Sequence, residues 1–488
     1  MINSCSRKKF KVIVIGLFVS IFFSVGTAAH SKSGARLNVL LITADDLGKQ
    51  LSCYGDDIIE TPNIDKLAKS GVLFENAYVT QASCSSSRSS ILTGTYPHIN
   101  GQIGLAHRGF QMNRAYPNLP AILKDEGYQT GIIGKLHVQP ENIFPFDFDF
   151  KNYKEARDVE LVAKRTEEFI KSSGDKPFFL YLNYSDPHVP FYREFEGHPL
   201  SPVNADDVHA FRFQGVDCER ELQRIADFYS CIRRLDEGIG LVMDRLNKLG
   251  VLENTLIFFV GDHGAPFARG KAACYEASVG IPFLVSCPNS IGSGRTSDEL
   301  VSTIDILPTV LKAIDRKIPG IVQGKSLWRH LHNKQSIVRD YLFTEYTYHV
   351  NDLYCFYPRR AIRDDRYKLI LNLSGEQINN QLINIDGDSA YFYSRAELYN
   401  GTWVRDIFDR LGNPPEIEFY DLLADPFEKN NLSGNPFLKM KEEKLLDELY
   451  KWMKKTGDRY RKEDFVTREI EKLKTQKTKS INFEDEKL

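Results

Sequence analysis

No Cys-x-x-Cys spacing occurs among the eight cysteines of this 488-residue chain, which lie scattered at positions 5, 53, 84, 218, 231, 274, 287 and 355. That excludes a zinc cluster of the usual kind and leaves either disulfides or buried thiols among those that chemistry does not consume. No internal repeat and no low-complexity linker interrupts the chain. Neither sign of charge dominates, with 63 Lys and Arg against 65 Asp and Glu, so nothing marks a nucleic-acid binder. At 42% hydrophobic and 12% aromatic the chain is globular, and it is long enough for a large core and more than one domain.

A run of membrane-spanning length is also missing. Arg7, Lys8, Lys9 and Lys11 precede the apolar stretch from Val12 to Val25, which leads into Thr27, Ala28 and Ala29. This reads as a cleaved secretory signal over residues 1–29; an uncleaved anchor is the weaker alternative, because the run is short and ends in small residues. Cys5 lies before the apolar run, which argues against a lipoprotein cleavage site. Without the segment, 59 basic residues face 65 acidic ones, a formal charge of -6. An exported protein, periplasmic or secreted, with no stable membrane insertion is expected.

Short apolar runs alternate with helical segments, the pattern of a layered α/β domain. The runs are 37–43, 130–133, 178–184, 255–260 and 282–286, and the helices are expected over 63–70, 118–126, 159–172 and about 220–249. The last carries a stripe of Leu222, Ile225, Phe228, Ile232, Leu235, Ile239, Val242, Leu246 and Leu249. Past about residue 340, aromatic segments at 341–348, 366–373 and 416–422 suggest a smaller α+β domain. The expected division is thus 36–340, then 341–460, then a charged, solvated tail over 461–488.

Four polar motifs each follow a strand candidate: Asp45-Asp46, Lys135-Leu136-His137, Asp186-Pro187-His188 and Asp262-His263. Open α/β sheets bind ligands at the carboxyl ends of their strands, so four such motifs on one edge point to a single site. Alone, Asp45 and Asp46 fit a turn or a helix cap equally well. Joined by Asp262 and His263 they become a hard-cation site, because three carboxylates in one cleft repel unless neutralised; oxygen ligation suits calcium or magnesium, and the histidine leaves a transition metal open. Cys84, in SCSSSRSSILTG, stands at the expected N-terminus of a helix with Arg88 one turn on. Such a terminus favours an anion, which leaves a cysteine nucleophile, a phosphate cradle or a buried structural cysteine.

Cys84-Ser85-Ser86-Ser87-Arg88 followed by Leu92-Thr93-Gly94 resembles the sulfatase signature. Family-like stretches run in order from Asn38 to about Asn431: TADDLG, ETPNIDKLAKSGVLFENAY, YPHINGQIGL, TGIIGK and GDHG. TGIIGKLHVQPENIFPFDFDF, DHGAPFARGK, FYPRRAI and YFYSRAELY are most similar to the sulfamidase (heparan N-sulfatase) branch. The resemblance implies an alkaline-phosphatase-like catalytic domain with a central mixed, mostly parallel sheet between helices, and a smaller C-terminal α+β domain with an antiparallel sheet. It implies that Cys84 is oxidised to formylglycine by a maturation enzyme, and that the hydrated aldehyde supplies the oxygen that attacks sulfur. One calcium ion is implied, held by Asp45, Asp46, Asp262 and His263 with the modified Cys84 touching it. Arg88, Lys135 and Lys271 are implied to hold the nucleophile and the sulfate, His188 to protonate the leaving group, and His137 to assist the nucleophile or the release of sulfate. His107, Arg108 and Arg360 fall in stretches that resemble the pocket rim. The implied substrate is a sulfated oligosaccharide or polysaccharide, most similar to N-sulfated glucosamine in heparin-type glycans; monomer and homodimer both stay open.

Two departures stand out. Ser86 occupies a position where the family pattern has Pro or, less often, Ala, and His263 one where Asn is frequent. Competing readings are an O-sulfatase for another polysaccharide, a glycan-binding pseudo-enzyme left unmatured because of Ser86, and a phosphatase or phosphodiesterase of the alkaline phosphatase superfamily. The last uses Ser or Thr and generally two zinc ions, and Cys84 with too few motifs for a second ion argues against it.

Overall fold

Strand β1, Asn38–Asp45, is buried at every position, which is what a near-continuous apolar run produces at the centre of a sheet covered on both faces. In a computed structural model the described residues are 36–332, 338–350, 356–374 and 385–485. The expected signal segment and Cys355 therefore lie outside the described residues. The other strands of this half are β2 (Gly71–Phe74), β3 (Ala77–Tyr78), β4 (Gln129–Ile133), β5 (Phe148–Phe150), β6 (Phe178–Pro187), β7 (Thr255–Gly261), β8 (Phe283–Ser286), β9 (Arg295–Ser297) and β10 (Val301–Ser302).

Eight of them form one sheet in the order β5-β4-β6-β1-β7-β8-β2-β9, while β3 pairs with β10. All neighbours in the large sheet run parallel except β8, which is antiparallel to both β7 and β2. Strand β1 thus lies between two parallel partners. Thr43 pairs with Asn183 on β6 and Ala44 with Gly261 on β7, so the carboxyl ends of three strands emerge together.

Period-two alternation divides β1 between two cores. Val39 and Leu41 face one, while Leu40, Ile42 and Ala44 face the other. The second core is closed by the 30-residue helix Glu219–Lys248, through Ile225, Phe228, Ile232, Leu235, Ile239, Val242 and Leu246. Each fully buried side chain of this size contributes roughly 1.5–3 kcal/mol relative to exposure. Leu222 and Leu249, at the ends of the expected stripe, are only half-buried.

Strands β11 (Leu342–Tyr348), β12 (Phe356–Arg363), β13 (Tyr367–Asn372) and β14 (Ile417–Asp421) make a separate antiparallel sheet in chain order. One face packs Ile362, Leu369, Leu371 and Phe419 against Leu445, Leu449, Trp452 and Met453 of the helix Lys439–Lys455. The other packs Tyr346, Ala361, Ile370 and Tyr420 with Ala268, Ala272, Ala273, Cys274 and Tyr275, which follow β7. The segment carrying Lys271 is thereby pressed between the two halves, and both sheets belong to one compact unit from Arg36 onward. The fold class is the α/β arrangement with a second antiparallel sheet expected from the sequence. Among the described residues no helix is long and apolar enough to cross a membrane.

Candidate active site

The β1–β7 pairing fixes the acidic groups. Asp45 ends β1, and Asp46 turns the chain away with φ 66°, a left-handed conformation that Asp tolerates better than most side chains. Asp262 follows β7; its N–H donates to the Ala44 carbonyl (3.0 Å), and its Oδ1 accepts from the Asp46 N–H (2.9 Å). As a result Asp45, Asp46 and Asp262 each offer an oxygen within 4.8 Å of the others. Cys84, Asp262 and His263 form a second such group, and Asp46, Cys84 and His188 a third.

Cys84 is the first residue of the helix Cys84–Thr93, all ten positions of which are buried. Its Sγ lies 3.3 Å from Nε2 of His263. His263 donates Nδ1–H to the Gly264 carbonyl (3.0 Å), which directs Nε2 toward Cys84 and, at 3.1 Å, Asp46. One turn along the helix, Arg88 spreads its guanidinium across the strand ends. Nε donates to Asp262 (2.9 Å), one terminal nitrogen to Asp45 (3.1 Å), and the other to Asn183 (2.6 Å) and the Lys135 carbonyl (3.0 Å).

Two lysines complete the charge balance. Lys135 Nζ lies 2.6 Å from Asp45 Oδ2, which also accepts from Tyr153 OH at 2.8 Å. Lys271 Nζ bridges Asp46 (2.9 Å) and Asp386 (2.6 Å). Burial would raise the Asp45 pKa, but Lys135 and Arg88 hold it well below the ordinary carboxylate range. Asp262 goes the other way, pushed up by burial and by the charge of Asp45. That residual repulsion, with oxygen donors predominating, fits a hard divalent cation, which would relieve it.

The site opens into a cavity of about 620 Å³ whose wall includes Cys84, Lys135, His137, His188 and Lys271, together with His107 and Arg108. His188 donates Nδ1–H to the Val189 carbonyl (2.6 Å) and points Nε2 toward Asp46 at 3.7 Å. His137 meets His107, Nε2 to Nδ1, at 2.8 Å. Two expectations from sequence find different places. Asp186, in a strand-end motif, is buried between Arg157 (2.9 Å) and Arg234 (2.7 Å) and serves as their anchor. Arg360, expected at the pocket rim, is fully buried and paired with Asp458 at 2.5 Å under the Tyr460 ring. It does not line the cavity, because its guanidinium is held by that acid, which follows the helix Lys439–Lys455.

Sequence reasoning missed Tyr153, Asn183, His349 and Asp386. Tyr153, His349 and Asp386 line the cavity, and Asn183 receives Arg88 below it. Asn183 interrupts the apolar run of β6 and was the one legible signal among them.

Residues 37–315 match the sulfatase family model, and residues 261–400 match the model described as N-sulphoglucosamine sulphohydrolase, C-terminal. Human N-sulphoglucosamine sulphohydrolase is 30% identical over 463 residues, covering 86% of this chain and 90% of that protein. An ulvan-active sulfatase of Formosa agariphila is 30% identical over 476 residues, covering 93% and 90%. Among solved structures, one in complex with its substrate D-glucosamine-2-N,6-O-disulfate superposes with TM-score 0.64 at 21% identity, over 87% of this chain and 99% of that one. The phosphonate monoester hydrolase of Agrobacterium radiobacter gives TM-score 0.66 at 18% identity, over 86% and 96%; at these identities both show a shared fold. The match spans both halves of the chain, and on that ground it belongs to the sulfatase family and is a hydrolase of sulfuric esters or sulfamidates.

Proposed function

We propose that this enzyme removes sulfate from a sulfated sugar, and that its preferred bond is the N-sulfate of glucosamine in heparin- or heparan-type glycans. The reading uses formylglycine made from Cys84 by a maturation enzyme, and one calcium ion held by Asp45, Asp46, Asp262 and His263. The observation that carries it is the placement of Cys84 at a buried helix N-terminus, 3.3 Å from His263 and within ligand distance of Asp46 and Asp262. Preference for the N-sulfate is supported by the family model over 261–400 and by the human relative. The basic amino-terminal pattern with its apolar run supports export.

The modified residue would supply the attacking oxygen and calcium the positive charge beside it. This chain's own groups do the rest. Lys135 and Lys271 present ammonium groups to the sulfate oxygens as the bond to sulfur breaks. Arg88 lies beneath them and fixes Asp45 and Asp262. His188 Nε2, on the cavity side and 3.7 Å from Asp46, is the nitrogen that would give its proton to the departing amine or alcohol, since Nδ1 is held by Val189. Burial first, then the charge of Lys135, hold the His137 pKa down to about 2, so it is neutral at working pH and would assist the nucleophile as a hydrogen-bonding imidazole, not as a strong base.

The ulvan-active relative at equal identity favours a second reading, O-sulfate removal from another polysaccharide. Two measurements decide. The mass of the peptide containing Cys84 shows whether the thiol has become an aldehyde; retained cysteine would leave a glycan-binding protein. Sulfate release from N-sulfoglucosamine against 6-O-sulfated glucosamine then assigns the bond, and faster release from the latter overturns the N-sulfate preference.

A further inference from the structure

Asp386 sits in the short turn Ile385–Gly387 with φ 51°, far in sequence from the strand-end motifs. One carboxylate oxygen is taken by Lys271 at 2.6 Å, and among the described residues the other oxygen has no hydrogen-bond partner. Its side chain is 17% exposed whereas Lys271 is 1% exposed, so a molecule in the cavity reaches the carboxylate before the ammonium behind it.

Charge is sorted along this wall. The nucleophile end carries Lys135 and Lys271, with Arg108 at the rim, and it is where a sulfate belongs. The other acid on the wall, Glu141, is occupied by Lys151 at 2.9 Å. Asp386 also lines a neighbouring cavity of about 900 Å³, where Glu219, Glu221 and Asp227 stand beside Arg220 and Arg224. There Glu221 is 1% exposed and its Oε2 has no partner. The second oxygen of Asp386, partly open to the cavity and already negative, suits a neutral hydroxyl donor and not a second sulfate.

We propose that Asp386 is a specificity-determining residue whose free carboxylate oxygen accepts hydrogen bonds from the hydroxyls of the sulfated sugar, while Lys271 behind it holds the sulfate. The assignment rests on the sulfated-sugar reading of the same site. A site built to bond a hydroxyl discriminates strongly against ligands lacking it, because its own polar group is otherwise left unpaired.

The test uses the whole chain with calcium present and Cys84→Ala to prevent turnover, titrated calorimetrically with N-sulfoglucosamine, 6-O-sulfated glucosamine and inorganic sulfate. Adding Asp386→Ala is expected to weaken the better-bound sugar about tenfold or more, while inorganic sulfate binds within about twofold of before or more tightly. Retained sulfate binding also shows that the pocket is intact; if Asp386→Ala does not fold, Asp386→Gly, which suits the φ of 51° and likewise removes the acceptor, makes the same comparison. Equal weakening of sugar and sulfate would mean that Asp386 acts only through Lys271, and overturns the proposal, as does an unchanged sugar affinity or failure of both sugars to bind. Hydrolysis by the unsubstituted enzyme is scored separately: release from the O-sulfate alone defeats the N-sulfate reading and leaves Asp386 standing.

Discussion

Nδ1 of His107 and Nε2 of His137 are 2.8 Å apart, and their rings stack with centroids separated by 5.0 Å. One hydrogen lies between two neutral imidazoles. Burial and Lys135 hold His137 down to about 2 from an ordinary 6.5, and burial and Arg108 lower His107 as well. At this pair the folded state therefore binds fewer protons than the unfolded chain below about pH 6.5. The contribution of His137 to stability is complete above that pH and is lost toward pH 2, at about 1.4 kcal/mol per unit. Thermal unfolding from pH 7 to pH 5 should show a falling Tm, with a shallower fall in His137→Gln; parallel falls would refute the neutral pair.

Asp186 gives a stability contrast. Its carboxylate is 1% exposed and joins two guanidiniums, whereas Asp149 is 47% exposed and meets Lys151 at 3.1 Å. Asp186→Asn leaves buried positive charge unbalanced and should cost about 3–5 kcal/mol, while Asp149→Asn should cost less than about 1 kcal/mol. Urea denaturation of the two variants measures both, and similar midpoints would show that the arginine pair does not depend on Asp186.

The acids and Cys84 were legible because each motif directly follows a strand or opens a helix, and strand ends in a parallel sheet must converge. Apolar runs located β1, β4, β6, β7 and β8 to within a few residues. Strands β2, β5 and β9 were not legible, since they are three or four residues long and owe their place to pairing with distant partners. Asp386 and Arg360 show the same limit in the site. What each side chain does is decided by a partner about a hundred residues away, Lys271 in one case and Asp458 in the other, and no local spacing encodes it.

If the three buried carboxylates hold a cation, as proposed, it should reveal itself without any turnover. Calcium at a hundredfold excess over its Kd is expected to add about 2.7 kcal/mol of stability, seen as a raised Tm that a chelator reverses. Asp262→Asn should abolish most of that increment, since it removes the acid already pushed up by its neighbour Asp45. An increment unchanged in the variant would place the ion elsewhere.

Ser86 lies in the first turn of the Cys84–Thr93 helix, and its buried hydroxyl has no partner. The ladder of this helix begins one residue later, with Ser87 N–H donating to the Ser83 carbonyl at 2.9 Å. Ser86→Ala therefore removes no hydrogen bond and should leave Tm within about 1 °C to 2 °C, given that surface-neutral or unbonded changes cost at most about 0.5 kcal/mol. Because Ala occurs in the family pattern, the fraction of Cys84 converted to aldehyde should rise or stay level by peptide mass; a fall would mean that this maturation system reads the serine.

Lys271 joins parts of the molecule that the chain itself does not connect directly. Its ammonium bonds Asp46 at the mouth of the parallel sheet and Asp386 in the connection between β13 and β14 of the antiparallel one, while the segment around it is packed between those sheets. This salt link, alongside those of Glu276 with Arg363 and Lys368, ties the parallel-sheet half to the antiparallel-sheet half. If Lys271 meets the sulfate and Asp386 the sugar, as proposed, recognition and reaction cannot drift independently: altering the turn to accept a new glycan would also move the cation, and new specificity in this scaffold would have to arise with Lys271 still spanned between its two acids.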